Sequence, residues 1–73
     1  MSVRSKVKKV FADHLDNNVS DNDTFDDLCL DSLDCIEIFM DIEAELDIEA
    51  DDNESRLWLT VGDVINYFEN NRS

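Results

Sequence analysis

Seventy-three residues with no proline and a single glycine (Gly62) make one small domain, residues 1–73, with few breakers, which favours an all-helical chain. A net charge of −13 excludes nucleic acid and anionic lipid as partners and draws basic ones, while 42% apolar content in periodic order argues against a disordered acidic tail. Two cysteines, Cys29 and Cys35, close too short a loop for a disulfide framework and read as reduced thiols.

The charge is unevenly divided. Arg4, Lys6, Lys8 and Lys9 lie in the first nine positions, whereas all nineteen acids lie at Asp13 or later. The segment Met1 to Val10 carries charge with no apolar run behind it, so it is not a signal peptide. No stretch approaches the length of a membrane span. A cytoplasmic protein is expected, or an organellar one if a transit segment was removed.

Val3, Val7, Val10, Phe11 and Leu15 recur at spacings of three and four, the stripe of an amphipathic first helix, with Ser2 as its N-cap. His14, the one histidine, reads as an exposed polar residue of that helix. Asp16 to Thr24 is polar and turn-forming and predicts a long first loop, pinned to the core by Val19 and Phe25. Read as a calcium loop from Asp16, with Asn18, Ser20 and Asp27 as further ligands, it fails: Asp21 stands where the sharp-turn glycine belongs, and the last acid is not Glu.

The second helix is predicted to open near Asp31 or Ser32 and to run to about Asp47. Asp31 is its N-cap, with Asp34 three residues on in capping-box fashion. At about 100° per residue, Ile38, Phe39, Ile42 and Leu46 form one broad face. Leu33, Ile36 and Met40 form a second stripe, and Asp34, Glu37, Asp41 and Glu45 take the remaining side. Two accounts stay open: a central helix packed on two sides, or a helix whose Leu33 and Met40 remain exposed beside the acids as a docking surface. The polar stretch Glu49 to Arg56 holds a short turn of helix. Thr60 caps a last helix, with Asp63 at the box position and Val61, Val64, Ile65 and Phe68 as its inward stripe. The predicted fold is an all-α, small four-helix bundle, three main helices plus a short one.

Catalytic arrangements lack parts. One histidine leaves no Ser-His-Asp or Cys-His set, the cysteine pair lacks the companions of a zinc site, and no glycine-rich phosphate loop is present. Neither catalytic residues nor metal ligands are assigned.

Ser32 in isolation reads as a helix-start serine. Its surroundings, Phe25-Asp26-Asp27-Leu28-Cys29-Leu30-Asp31-Ser32-Leu33-Asp34-Cys35-Ile36-Glu37-Ile38, resemble the signature of the acyl carrier protein family. There, Asp-Ser-Leu follows a Phe-x-x-Leu segment and precedes an acidic helix. The resemblance continues through Asp47-Ile48-Glu49, Leu59-Thr60-Val61 and Ile65-Asn66-Tyr67-Phe68. It reaches back to Val7-Lys8-Lys9-Val10 and Leu15, with a first loop shorter than is usual. Two departures stand out. Cys29 replaces the glycine usual two residues before the Asp-Ser pair, and Ala50-Asp51 replaces a common Ile-Pro. The first is expected to alter the backbone before the attachment site, and the second to loosen the loop closing the acyl pocket.

The resemblance implies a non-enzymatic carrier with covalent 4′-phosphopantetheine on Ser32, placed there from coenzyme A by a separate transferase and holding acyl groups as thioesters. The transferase would supply magnesium and base. The helix N-terminus suits a phosphodiester. Ile36, Phe39, Val61 and Ile65 are the implied acyl-pocket residues; Cys35, on the inward side of the wheel, is expected to be a small buried hydrophobe bordering the pocket entrance. Asp31, Asp34, Glu37, Asp41 and Glu43 would steer acyl-transferring biosynthetic enzymes that carry basic docking patches, with Leu33 and Met40 as apolar contacts. The acidity and the Asp-Ser-Leu-Asp string lean towards fatty-acyl work over a peptidyl, aminoacyl, D-alanyl or polyketide carrier. The start at Met1 and the polar end at Asn70-Asn71-Arg72-Ser73 lean towards a discrete protein, expected to be a monomer. From another class, the rival is an acidic interaction module without a prosthetic group, which needs acids but no serine at the helix start.

Overall fold

The computed structural model describes residues 2–71; Met1, Arg72 and Ser73, read above as the ends of a discrete protein, lie outside them. Helix α1 spans Val3–Leu15, and its N-cap is Ser2, whose side chain accepts from the Ser5 amide. Helix α2 spans Ser32–Leu46, α3 is the single turn Asp52–Ser55, and α4 spans Val61–Asn70. The predicted three main helices and a short one are therefore present, without a named strand among the described residues.

Three inward faces meet in one core. From α1 come Val3, Val7 and Phe11, from α2 Ile38 and Ile42, and from α4 Val61, Val64, Ile65 and Phe68, with Trp58 ahead of α4 completing the cluster. Helix α1 packs against both α2 and α4. Because Ile38 and Ile42 are four residues apart they share one line of the α2 cylinder. Leu33, Ile36 and Met40 fall outside that line and are 69%, 53% and 62% exposed. One face of α2 is thus buried and the other apolar stripe faces solvent, the exposure on which the second account of α2 depends.

The first loop, residues 16–31, is held against the segment before α4. Thr24 and Thr60 form an isolated antiparallel bridge, flanked by Phe25 N–H to Leu59 O (3.0 Å) and Val61 N–H to Asp23 O (3.0 Å). Gly62 donates to Asp21 O at 2.8 Å, and a Cβ at Gly62 would stand 3.0 Å from that same oxygen. The chain's one glycine thus serves a close approach of loop to helix. The Asp21 carboxylate pairs with Arg4 and, at 2.8 Å, with Lys8, so the residue that spoils the calcium-loop pattern ties the loop to α1. Val19 and Phe25 pack against the core as expected.

Three non-glycine residues take positive φ: Asp16 (56°), Cys29 (60°) and Asp47 (55°). Asp16 and Asp47 are the C-caps of α1 and α2, where a short polar side chain tolerates the left-handed conformation. Cys29 ends a turn in which Leu30 N–H reaches Phe25 O and Cys29 N–H reaches Asp26 O, both at 3.0 Å. This is the paired-bond pattern of a Schellman cap, which normally uses glycine. The position where the family usually has glycine is a left-handed one in this chain, with a cysteine in it.

The loop at the Ala50-Asp51 departure, expected above to be looser, is bonded at both residues. Ala50 N–H donates to the Glu43 carboxylate at 2.9 Å and Asp51 N–H donates to the Tyr67 hydroxyl at 3.0 Å. A proline at position 51 would have no N–H to give, so Asp51 replaces ring rigidity with a bond to α4.

Candidate functional site

The Schellman turn at Cys29 delivers the chain to Asp31, whose extended backbone (φ −90°, ψ −177°) opens α2. Asp31 Oδ1 accepts from the Asp34 amide at 2.9 Å, and Asp34 Oδ2 accepts from the Asp31 amide at 3.3 Å. This reciprocal capping box was legible in the Asp-x-x-Asp spacing. It leaves the amides of Ser32 and Leu33 without a protein acceptor among the described residues, as the first turn of any helix must. Ser32 is the first helical residue, and it is exposed. Its hydroxyl stands at the positive end of the α2 dipole, where an attached phosphodiester is favoured.

Beside Ser32 lies an open cavity of about 350 Å³ between α2 and α3. Phe25, Leu30, Cys35, Ile36, Phe39 and Trp58 supply its apolar lining, and Asp26, Asp31, Ser55 and Arg56 its polar rim. An exposed hydroxyl, free helix-end amides and an adjoining apolar groove together fit a phosphate-linked arm with an apolar cargo. Burial pushes the Cys35 thiol pKa up, and the carboxylates of Asp34, Asp31 and Asp26 push it the same way. Cys35 is therefore held as a neutral thiol, a poor nucleophile. Cys29 and Cys35 are both free.

Not every residue singled out in the sequence stands at this groove. Ile36 and Phe39 line it, whereas Val61 and Ile65 are fully buried in the core and do not. They belong to the buried cluster shared with α1 and α2, and Trp58, ahead of α4, lines the groove in their place. Ile36 also belongs to the exposed stripe with Leu33 and Met40. Among the acids, Glu37 is exposed and Asp31 and Asp34 cap α2. Two others are engaged within the molecule: Asp41 Oδ2 lies 2.6 Å from His14 Nε2, and Glu43 accepts from Ala50. His14 is exposed, as expected, and its ring pairs with the Asp41 carboxylate.

Two groups at the groove went unread in the sequence. Trp58 is a sole tryptophan embedded between Leu57 and Leu59, which are both about 70% exposed; its place two residues ahead of the Thr60 cap was the available signal. Arg56, the one lysine or arginine between Lys9 and Arg72, lines the groove rim and could have been noticed as an isolated cation in an acidic chain.

Comparison with known proteins agrees with this geometry. A family profile described as "Phosphopantetheine attachment site" matches residues 5–68. An acyl carrier protein of Clostridium acetobutylicum is 41% identical over 71 residues, covering 92% of each chain. An acyl carrier protein of Desulforapulum autotrophicum is 38% identical over 72 residues, covering 92% of this chain and 94% of the other. The chain belongs to the acyl carrier protein family, whose members carry phosphopantetheine.

Proposed function

We propose that Ser32 is the attachment residue and that the chain presents thioester-bound acyl groups, of the kind used in fatty-acid synthesis, to cytoplasmic biosynthetic enzymes. The observation that carries this is an exposed serine hydroxyl at the first position of α2, with an apolar groove opening beside it. When bound, the arm supplies a terminal thiol that holds the acyl group as a thioester.

The chain's own residues accept and present; none performs catalysis. In loading, the Ser32 Oγ–H bond breaks and an Oγ–phosphorus bond forms as the diphosphate link of coenzyme A is cleaved. The proton passes to the transferase and the nucleotide part leaves. No base of this chain serves that step: its histidine is paired with Asp41, nine residues and so about 13 Å along α2 from Ser32. Asp31 and Asp34 hold the backbone of the first turn through the capping box, which places Ser32 at the exposed start of the helix.

Partners dock on α2. Leu33, Ile36 and Met40 give an apolar strip at helical spacing, and the acids beside it, Glu37 foremost, steer a basic patch toward it. Incubation with fluorophore-labelled coenzyme A and a broad-specificity phosphopantetheinyl transferase tests the assignment. The parent chain is expected to become labelled and Ser32→Ala to stay dark; equal labelling of both would move the site elsewhere.

A further inference from the structure

We infer that Trp58 sets the depth of the groove beside Ser32, so that the cargo the protein shelters is a short acyl group and a long chain projects into solvent. The inference rests on the carrier reading above and adds a size limit to it.

Trp58 belongs to a continuous aromatic wall. Phe25 meets Phe39 with centroids 5.7 Å apart, and Phe39 meets Trp58 edge-on at 4.9 Å. Behind, Trp58 packs on Tyr67 at 5.2 Å and on Phe68 at 5.9 Å. The tryptophan is 8% exposed, held on both sides, and it borders the groove directly. Past it lie Val61, Ile65 and Phe68, each fully buried, in an interior packed as densely as a crystal. A chain leaving Ser32 toward the space between α2 and α4 meets the indole first and must dislodge it from three ring partners to go on.

The other way out is along α2. A smaller cavity of about 220 Å³ shares Ile36, Phe39 and Ser55 with the first and runs to Met40, Glu43 and Ala50. Its far end holds the Glu43 carboxylate, bonded to the Ala50 amide at 2.9 Å. An apolar chain that runs this way is stopped at the far end by that charged, hydrogen-bonded group. The space of about 350 Å³ beside Ser32, bounded by the indole, is therefore room for a short chain, and octanoyl against hexadecanoyl brackets its limit.

The test loads the full chain on Ser32 with acetyl, butyryl, octanoyl and hexadecanoyl phosphopantetheine from the corresponding coenzyme A thioesters, each form verified by mass. Thermal midpoint and the emission of Trp58, the only tryptophan, are then followed across the series. The expected midpoint climbs from acetyl to octanoyl and is level from octanoyl to hexadecanoyl, with the emission shift complete at octanoyl. In Trp58→Leu, which keeps an apolar side chain but opens the wall, the climb is expected to continue to hexadecanoyl. Should that variant not fold, the parent series and its emission decide alone. A parent midpoint that keeps rising to hexadecanoyl, or one insensitive to every acyl group, overturns the size limit while leaving Ser32 as carrier. Failure of the loading itself, seen as no gain of mass, overturns the carrier reading and this inference with it.

Discussion

His14 Nε2 and Asp41 Oδ2 stand 2.6 Å apart, joining the last turn of α1 to the middle of α2. On the helical wheel Asp41 belongs to the acid face that partner enzymes would meet, yet its carboxylate is turned to a neighbouring helix. A carboxylate held in that bond is less free to swing toward a partner's basic group than one without it. Replacing Asp41 with Asn should therefore slow transferase loading less than Glu37→Lys does. Its cost to folding should stay below about 1 kcal/mol, since the pair is largely solvent-exposed. Urea unfolding and loading rates of the two variants check both halves; equal slowing by the two would place Asp41 on the docking face after all.

Glu37→Lys itself should reduce the loading rate at low salt and leave the thermal midpoint nearly unchanged. The difference from the parent should shrink as salt is added, because steering is screened within a Debye length of about 10 Å at 0.1 M. Leu33→Ala, by contrast, should weaken complexes at every salt concentration by raising the off-rate. Surface-binding kinetics across a salt series separates the two behaviours.

Cys29→Gly should stabilise the protein. A left-handed φ of 60° costs a residue with a Cβ about 1–2 kcal/mol, while glycine costs about 0.5–1 kcal/mol in lost chain entropy. The balance is a gain on the order of 0.5–1 kcal/mol, a few degrees in midpoint for a domain of this size. Calorimetry of the variant checks it, and a lower midpoint would show that the cysteine side chain contributes more than its backbone costs.

Asp21 makes stability depend on pH in a definite direction. Hydrogen bonds from Arg4 and Lys8 hold its carboxyl pKa below the ordinary value, so the folded state binds that proton less readily than the unfolded chain. The stabilisation is fully present above the unfolded carboxylate pKa and is lost as pH falls through the lowered folded value. Asp21→Asn should thus be less stable than the parent at neutral pH, and the two should converge in strong acid. Added salt should narrow the gap as well, since the pairs are exposed. Denaturant titrations from neutral to acid pH check the convergence.

Local signals in this chain were strong where one residue decides one bond. Ser2, Asp31 with Asp34, and Thr60 with Asp63 announce their helices through side chains that satisfy specific amides, and each cap is present. The exposure of Leu33 and Met40 was posed as one of two packings because periodicity shows which side chains share a face and not which face has a neighbour. Val61 and Ile65 were placed in the pocket for the same reason: an inward stripe looks alike whether core or cavity lies beyond it. The contacts His14–Asp41 and Glu43–Ala50 join positions whose proximity only the fold creates. Trp58 lies outside any helix, where no periodicity assigns a direction to its side chain.

The central claim, a carrier loaded at Ser32, is tested most directly by intact mass before and after incubation with coenzyme A and a broad-specificity phosphopantetheinyl transferase, with Ser32→Ala alongside. The predicted result is a gain of one phosphopantetheine in the parent and none in the variant. No gain in a folded parent that was unmodified at the outset, or an equal gain in both chains, would contradict it.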